Sequence, residues 1–586
     1  MRFFKVFLAA LLAFVVFAGI CVIILLVMLG KALAPNEITI SPNSVLVLET
    51  GQSYKEQTVS NPLGSFLQDE EGETPGLFQA VRLIENAAHD DNIKGIYLKV
   101  NGNPSGFATT EELRNALLRF RRSGKFVYAY GEVIGQGAYY LVSAADKVYL
   151  NPKGGLDFTG FSSQMPFVKG ALEKLEIKPE IFYCGKFKSA TEPLRETQMT
   201  EANRIQTSQF LGELYGHFLA GIGKARNIDT AALHGYANEN MIQEPNDALK
   251  YKLVDGLKYD DEITAELKNK TATKADDAIN FVSLGKYNVA ADLPISTAEG
   301  KIALIYAEGD IIDGESERGT NIASADYISE IRKVREDKNV KAIVFRVNSG
   351  GGSALASEVI WRELSLAKKV KPVVVSMGDY AASGGYYISC MADSIFAEPN
   401  TLTGSIGVFG VMFNMQDFFK NKLGVTFDGV KTAQYADLGS VGRPLTDAEK
   451  RFIQNGVDST YASFKSRVVA GRKLDAAVVD SIAQGRVWSG LEAKELGLVD
   501  RIGGVKEALA CAAHLAKLSD YRLREYPESK KNKIGRFLRG LGAETRTDMV
   551  KKELGPNYEL YQELKEVQQL HGRIQARMLP FKYSSF

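Results

Sequence analysis

Cysteine and histidine are scarce in this chain. Four cysteines among 586 residues (Cys21, Cys184, Cys390 and Cys511) include no pair with metal-ligand spacing and no disulfide framework, so buried free thiols are expected. The five histidines, His89, His217, His234, His514 and His571, fall in no recognisable motif. Charge of one sign is not in excess either. Seventy-one basic against 70 acidic residues leave +1, without the basic domain or stripe of a nucleic-acid binder. No Walker motif occurs, so ATP-driven unfolding is not built in, and no metal or other cofactor is implied. What the chain does have is core material: 45% of it is hydrophobic. At roughly 100–200 residues per domain it is long enough for about two to four folded units.

One long apolar run is present. Residues 6–30 carry no charge over 25 positions, more than the ~20 a helix needs to cross a bilayer. Arg2 and Lys5 precede the run and Lys31 follows it. The positive-inside bias then places the N-terminus in the cytoplasm and the body across the membrane. Ala32-Leu33-Ala34 resembles a signal-peptide cleavage site. The run is, however, about twice a secretory core of ~7–15 residues, and Pro35 would follow the cut. Residues 1–35 are therefore expected to be a retained single-pass membrane helix, with the lipid bilayer as a partner.

The rest of the chain is written twice. Residues 92–101 (NIKGIYLKVN) match residues 339–348 (NVKAIVFRVN) at an offset of 247. The same offset pairs Glu111 with Glu358, Tyr139 and Tyr140 with Tyr386 and Tyr387, Asp146 with Asp393, and Pro152 with Pro399. Leu253-Val254-Asp255 matches Leu498-Val499-Asp500 at offset 245. A register kept this long indicates one fold duplicated, over residues 43–290 and 300–525.

Each copy reads as α/β. Residues 341–347 and 373–376 are short β-branched runs bounded by Gly, Pro and Asn, as buried strands are. Residues 358–369 between them have helical periodicity, so the unit is a crossover joining parallel strands. Strands are also expected at 44–48 and 301–307, and long amphipathic helices at 201–224 and 447–471. Residues 52–75 read as a polar loop and 272–294 as the linker between copies. Residues 526–586 read as a charged, helical tail whose role the sequence does not give.

The copies differ at the positions that could carry chemistry. The second has Asn348-Ser-Gly-Gly-Gly-Ser353 where the first has Asn101-Gly-Asn-Pro-Ser-Gly106. The second has Ser383 where the first has Gln136, so a hydroxyl nucleophile stands there only in the second copy. Ser383 falls between a strand and a run that can be helical, where N–H groups favour developing negative charge. The glycines at 350–352 end a parallel strand, where α/β folds place their sites, and their free N–H groups can form an oxyanion hole.

A serine needs a base, and the histidines offer none nearby in sequence. Lys188, within Tyr183–Pro193 (YCGKFKSATEP), is the candidate. Lys431 of the second copy aligns with positions 184–187 and never with 188. A lysine at its ordinary pKa of ~10.4 is protonated and cannot act as a base. Burial would lower that value, and repulsion from Lys186 would add to the effect.

These residues carry a resemblance. The strings at 380–387 (YAASGGYY), 401–407 (TLTGSIG), 185–193 (GKFKSATEP) and 485–490 (GRVWSG) resemble the long form of signal peptide peptidase A, also called protease IV. That group is a duplicated member of the ClpP/crotonase fold. The resemblance spans about residues 1–525. It implies Ser383 as nucleophile, Lys188 as general base, Ser405 as the hydroxyl that holds the lysine amine, and Gly351 and Gly352 as the oxyanion hole. It also implies a homotetrameric bowl on the bacterial inner membrane, with the catalytic body on the periplasmic side. Its substrates would be cleaved signal peptides and other short or unfolded peptides. The family usually has Pro where this chain has Gly350. Two other readings stand beside this one: a crotonase-type acyl-CoA enzyme on the same fold, and a membrane scaffold in which both copies are inert.

Overall fold

The computed structural model describes residues 39–58, 74–291, 293–294, 296–316, 321–528 and 572–578, with scattered positions before residue 39. The expected membrane helix lies outside the described residues. Among those that are described, no helix is long and apolar enough to cross a membrane.

The first copy contributes β1 (Ser44–Glu49), β2 (Ile93–Val100), β3 (Phe126–Ile134), β4 (Lys147–Leu156), β5 (Lys178–Tyr183), β6 (Gly256–Leu257) and β7 (Phe281–Ser283). The second contributes β8 (Lys301–Glu308), β9 (Ile311–Ile312), β10 (Ile322–Ala323), β11 (Val340–Ser349), β12 (Gly351–Ser353), β13 (Val373–Ala382), β14 (Ser394–Ala397), β15 (Leu402–Gly404), β16 (Phe409–Asn414), β17 (Val487–Ser489), β18 (Arg501–Ile502) and β19 (Arg522–Tyr526). One more strand, β20 (Ile574–Arg577), follows.

Two of the three sheets are copies of one design. The first runs β6-β4-β3-β2-β1-β7 with parallel neighbours. The second runs β17-β15-β13-β11-β8-β19 and is parallel except where β17 joins β15. β11 shows why. Its residues Ile343–Val347 are all buried and apolar except Arg346, as a strand covered on both faces requires. Val344, between Leu304 and Val374, packs toward the helix Val505–Leu515. Phe345, between Ile305 and Val375, packs toward the opposite face. The crossover helix runs Ala354–Lys368, and the Ser353 hydroxyl caps it by accepting from the Ala356 N–H at 3.2 Å. The two long helices span Glu201–Arg226 and Asp447–Arg472.

The duplication extends to individual hydrogen bonds. Tyr139 Oη donates to the Leu253 carbonyl at 2.6 Å, and Tyr386 Oη donates to the Leu498 carbonyl at 3.0 Å. Tyr140 donates to Glu111 just as Tyr387 donates to Glu358. Arg226 pairs with Asp255, and Arg472 with Asp500.

The third sheet joins the copies. Its order is β10-β9-β12-β20-β16-β5, so a first-copy strand, β5, lies in a sheet otherwise made from later residues. β5 pairs antiparallel with β16 over six residue pairs, from Tyr183↔Phe409 to Lys178↔Asn414. A second link is the fully buried Arg346. It donates to Glu56 at 2.9 Å and to Glu112 at 2.6 Å, both first-copy carboxylates.

Two expectations need correction here. The tail is not helical at 574–577: these residues form β20, because their backbone groups pair with β12 and β16 on either side. Residues 529–571 and 579–586 lie outside the described residues. The glycines at 350–352 are not a free loop either, since Gly351–Ser353 is a strand paired with β9 and β20.

Candidate active site

Ser383 occupies the single residue between β13 and the helix Gly384–Ser389. Its backbone has φ 55° and ψ −112°, a region that non-glycine residues rarely enter. Such a conformation costs on the order of 1–3 kcal/mol and persists only where the surroundings over-determine it. Here the Ser383 N–H donates to the Gly404 carbonyl at 2.8 Å, and the Ser383 carbonyl accepts from the Tyr387 N–H at 2.8 Å. The first copy makes the same strand-to-helix turn without strain. There Gly135 is extended, with φ −72° and ψ 160°, and Gln136 begins the helix. The Gln136 side chain accepts from the Thr159 and Gly160 N–H groups, so it fills a structural role.

Lys188 reaches Ser383 because of the β5–β16 pairing. Beyond β5, the Cys184 N–H continues the ladder to the Val408 carbonyl at 3.0 Å, and the Phe187 N–H donates to the Gln484 carbonyl at 2.8 Å. The next side chain turns inward. Lys188 Nζ lies 2.8 Å from Ser383 Oγ, 3.1 Å from Ser405 Oγ and 3.1 Å from the Ser405 carbonyl oxygen. All of this happens within one chain. Both side chains are buried, and no carboxylate pairs with the amine among the described residues. Burial alone holds the Lys188 pKa well below the usual lysine range. The amine donates in all three contacts, to Ser383 Oγ, Ser405 Oγ and the Ser405 carbonyl, and only after loss of a proton does it have a lone pair to turn to the Ser383 hydroxyl.

Lys186 has no part in that shift. Its side chain is exposed, with the ammonium 5.7 Å from the Phe187 ring centroid, and burial is the only cause acting on Lys188. Glycines instead make room for the lysine. Gly485 has φ 74°, and a Cβ there would lie 2.7 Å from Lys188 Cβ. A Cβ on Gly407 would lie 3.1 Å from Lys188 Cδ.

Gly351 and Gly352 lie beside the serine, at φ 103° and φ 157°. The Gly351 N–H is already bonded to Ser349 Oγ at 3.1 Å. Sequence reasoning missed the amide of Gly384, which follows the serine directly. A Cβ built on Gly351 would lie 2.7 Å from the Gly384 nitrogen. The signal is its place directly after the candidate nucleophile.

The other reactive side chains are occupied elsewhere. Ser383 Oγ has the Gly407 carbonyl at 3.4 Å as its second neighbour, and no histidine among the described residues reaches it. His217 is bonded to Glu111 and Tyr140 in the first copy. The Cys184 thiol donates to Asp458 at 2.9 Å, and burial pushes its pKa up to about 12, so it is no thiolate nucleophile at neutral pH. Cys184, Cys390 and Cys511 are free thiols, of which Cys390 is buried.

An α/β body with a strained serine against a buried amine has the form of a serine hydrolase site. Comparison with known proteins makes that a serine peptidase and gives its family. The model of peptidase family S49 matches residues 119–274 and 365–519, one segment in each copy, and the chain belongs to that family. Protease 4 of Salmonella typhi is 39% identical over 461 residues, which is 77% of this chain and 74% of the relative. Protease 4 of Haemophilus influenzae is 36% identical over 75% of this chain and 72% of the relative. The chloroplastic serine protease SPPA of Arabidopsis thaliana is 34% identical over 75% of this chain and 66% of the relative. A solved ClpP1 chain from Listeria monocytogenes aligns over 35% of this chain with a TM-score of 0.24 and 15% identity, too distant to carry an argument.

Proposed function

We propose that this S49 peptidase is a membrane-anchored endopeptidase with a Ser383–Lys188 dyad. The observation that carries the reading is the buried 2.8 Å contact between Lys188 Nζ and Ser383 Oγ, with no counter-charge on the amine among the described residues. Neutral Lys188 takes the Ser383 proton while the oxygen attacks a peptide carbonyl. The oxyanion is held by the backbone N–H of Gly384 and by those of the Gly351–Gly352 strand, of which the Gly351 N–H must first leave Ser349 Oγ. Protonated Lys188 then gives its proton to the leaving amine, and water repeats the steps on the acyl-enzyme. Ser405 keeps the amine aimed through both its hydroxyl and its carbonyl. Substrates enter as an added strand beside β12, main-chain bonds giving affinity and side-chain pockets giving preference. They are cleaved signal peptides and other short or unfolded chains. Each copy has a ClpP/crotonase-like design, and the enzyme works as a homotetramer on the bilayer, with the body outside the cytoplasm and the anchor at residues 1–35.

Ser383→Ala, Lys188→Ala and Lys186→Ala, assayed on an apolar peptide ester, test the chemistry. The first two are expected to lose at least about 10³-fold in kcat, and the third to keep its activity. A dead Lys186→Ala beside a working Lys188→Ala would reverse the assignment of the base.

A further inference from the structure

The helix Glu201–Arg226 belongs to the first copy, yet one of its faces bonds to the second. Asn203, Gln206, Gln209 and Glu213 recur at three- and four-residue spacing and so share that face. The stripe is polar where a packed helix face is ordinarily apolar. Gln209 accepts from Arg486 and donates to Glu492, and Glu213 accepts from the Ser489 hydroxyl at 2.6 Å. Gln206 lies deepest of the three that reach the second copy, with 1% of its surface exposed.

Gln206 reaches both neighbours of Lys188. Its Nε2 donates to the Phe187 carbonyl at 3.0 Å and to the Ser189 hydroxyl at 3.2 Å, one residue before the lysine and one after it. Its Oε1 accepts from the Val487 N–H at 3.2 Å. The amide can point only this way. A carbonyl cannot donate and an N–H cannot accept, and Asn203 Oδ1 takes a further bond from Nε2 at 3.1 Å. Asn203 is itself oriented by donating through Nδ2 to the Glu192 carboxylate at 2.8 Å. Beyond Val487 the connection runs to the nucleophile. Val487 pairs with Gly404, whose carbonyl accepts from the Ser383 N–H at 2.8 Å, and the Arg486 carbonyl accepts from the Ser405 N–H at 2.7 Å. One side chain thus ties the segment carrying the amine to the strands that hold the two serines.

The second copy shows that the fold does not require this residue. Its long helix begins with the same cap, Thr446 in the place of Thr200, an offset of 246. At that offset Gln206 corresponds to Phe452, which is 67% exposed, and Asn203 to Glu449. We propose that Gln206 is a positioning residue for the Lys188 base, holding the residues on either side of the lysine in register with β17 and so the amine in line with Ser383. This rests on the reading of Lys188 and Ser383 as a dyad. Gln206 touches neither reacting atom. It acts by preventing the segment from sliding along the helix, since a buried amide that lost its partners would leave polar groups of both copies unpaired.

Gln206→Met tests this in the full chain, because methionine fills the space without donating or accepting as the amide does. On a peptide ester, kcat is expected to fall about 10- to 100-fold with KM little changed. The acid limb of kcat/KM is also expected to move to higher pH. A loosened segment admits water to the amine, and water favours its charged form. A wild-type kcat, or a loss that leaves the limb where it was, overturns the proposal, since a merely structural role lowers the rate without moving the limb. Melting temperature reports whether the variant folds. If it does not, Ser189→Ala removes one of the two contacts instead. That variant is expected to lose several-fold in kcat with the limb displaced the same way, and an unmoved limb overturns the proposal. Failure of the dyad reading shows separately, as Lys188→Ala that keeps the wild-type rate in the same assay.

Discussion

Lys188 and Ser383 stand 195 residues apart in the chain and 2.8 Å apart at their polar atoms. The first copy supplies the amine and the second the hydroxyl, and a single antiparallel ladder, β5 on β16, holds them together. Neither copy alone contains the pair. The duplication has become one site with its parts divided between two similar bodies, and four consequences can be measured.

The buried amine sets the pH dependence of both rate and stability. With Lys188 as the proposed base the active form is the neutral one, so kcat/KM is expected to rise with pH along an acid limb whose apparent pKa lies well below ~10.4. Stability carries the opposite mark. The unfolded chain binds the proton more readily than the folded one between the two pKa values, so this lysine destabilises the fold at neutral pH. The cost shrinks as pH rises toward the unfolded value. Each tenfold drop in proton affinity is worth about 1.4 kcal/mol. Lys188→Met is therefore expected to be inactive and to melt at or above the wild-type temperature at pH 7, with the gap closing by pH 10. A melting temperature well below wild type at pH 7 would contradict this account.

Gly485 presses on the lysine from behind. Its φ of 74° already disfavours a side chain, and a Cβ would come within 2.7 Å of Lys188 Cβ. Gly485→Ala must push the amine away from Ser383. A displacement of about 1 Å costs on the order of 10²-fold in rate. The expected result is a kcat reduced on that scale with KM little changed, measured on a peptide ester. Wild-type kcat would show that the amine tolerates the shift.

Ser405 offers the amine two of its three contacts, one from the hydroxyl and one from the carbonyl. Ser405→Ala removes only the hydroxyl. The expected loss in kcat is about 10- to 100-fold, smaller than for either dyad residue, because the carbonyl still orients the amine. Ser405→Thr should restore most of the rate. Equal loss in Ala and Thr variants would point to distortion of the strained backbone at this position instead (φ 49°).

Arg346 is fully buried, and its guanidinium is satisfied by Glu56, Glu112, the Ser376 hydroxyl and the Met377 carbonyl. Arg346→Leu would strand two first-copy carboxylates in the interior. Removing one partner of a buried ionic cluster costs about 3–5 kcal/mol. Urea denaturation of the full chain in detergent should show that loss. Arg346→Leu combined with Glu56→Gln and Glu112→Gln is expected to recover part of it. A single variant as stable as wild type would mean that the cluster does not tie the copies together.

Much of this protein is legible in its residues because the relevant signals are local. Strands such as β11 announce themselves as short apolar runs, and the long helices by their spacing, since burial imposes both patterns on neighbouring positions. The repeat shows by self-comparison, and that comparison isolates Ser383 against Gln136 and a lysine at 188 without a counterpart. Nothing local marks Ile574–Arg577 as a strand. It is one only because β12 and β16 offer it backbone partners, and the same residues in a polar, charged context read as helix. Likewise nothing in Gly350–Gly352 tells that a strand from the far end of the chain lies against it.

The residue types of the dyad, the doubled α/β design and the membership of two similar halves in one family are therefore written in the order of the amino acids. The meeting of Lys188 with Ser383 is not, and neither is the loss of charge on that lysine or the seating of the tail beside the nucleophile. Those depend on hydrogen bonds between segments hundreds of residues apart and on exclusion of water from a pocket that exists only after the two copies have packed. Backbone pairing is nearly blind to side-chain identity, and desolvation belongs to a place in space, so neither leaves a mark in the sequence.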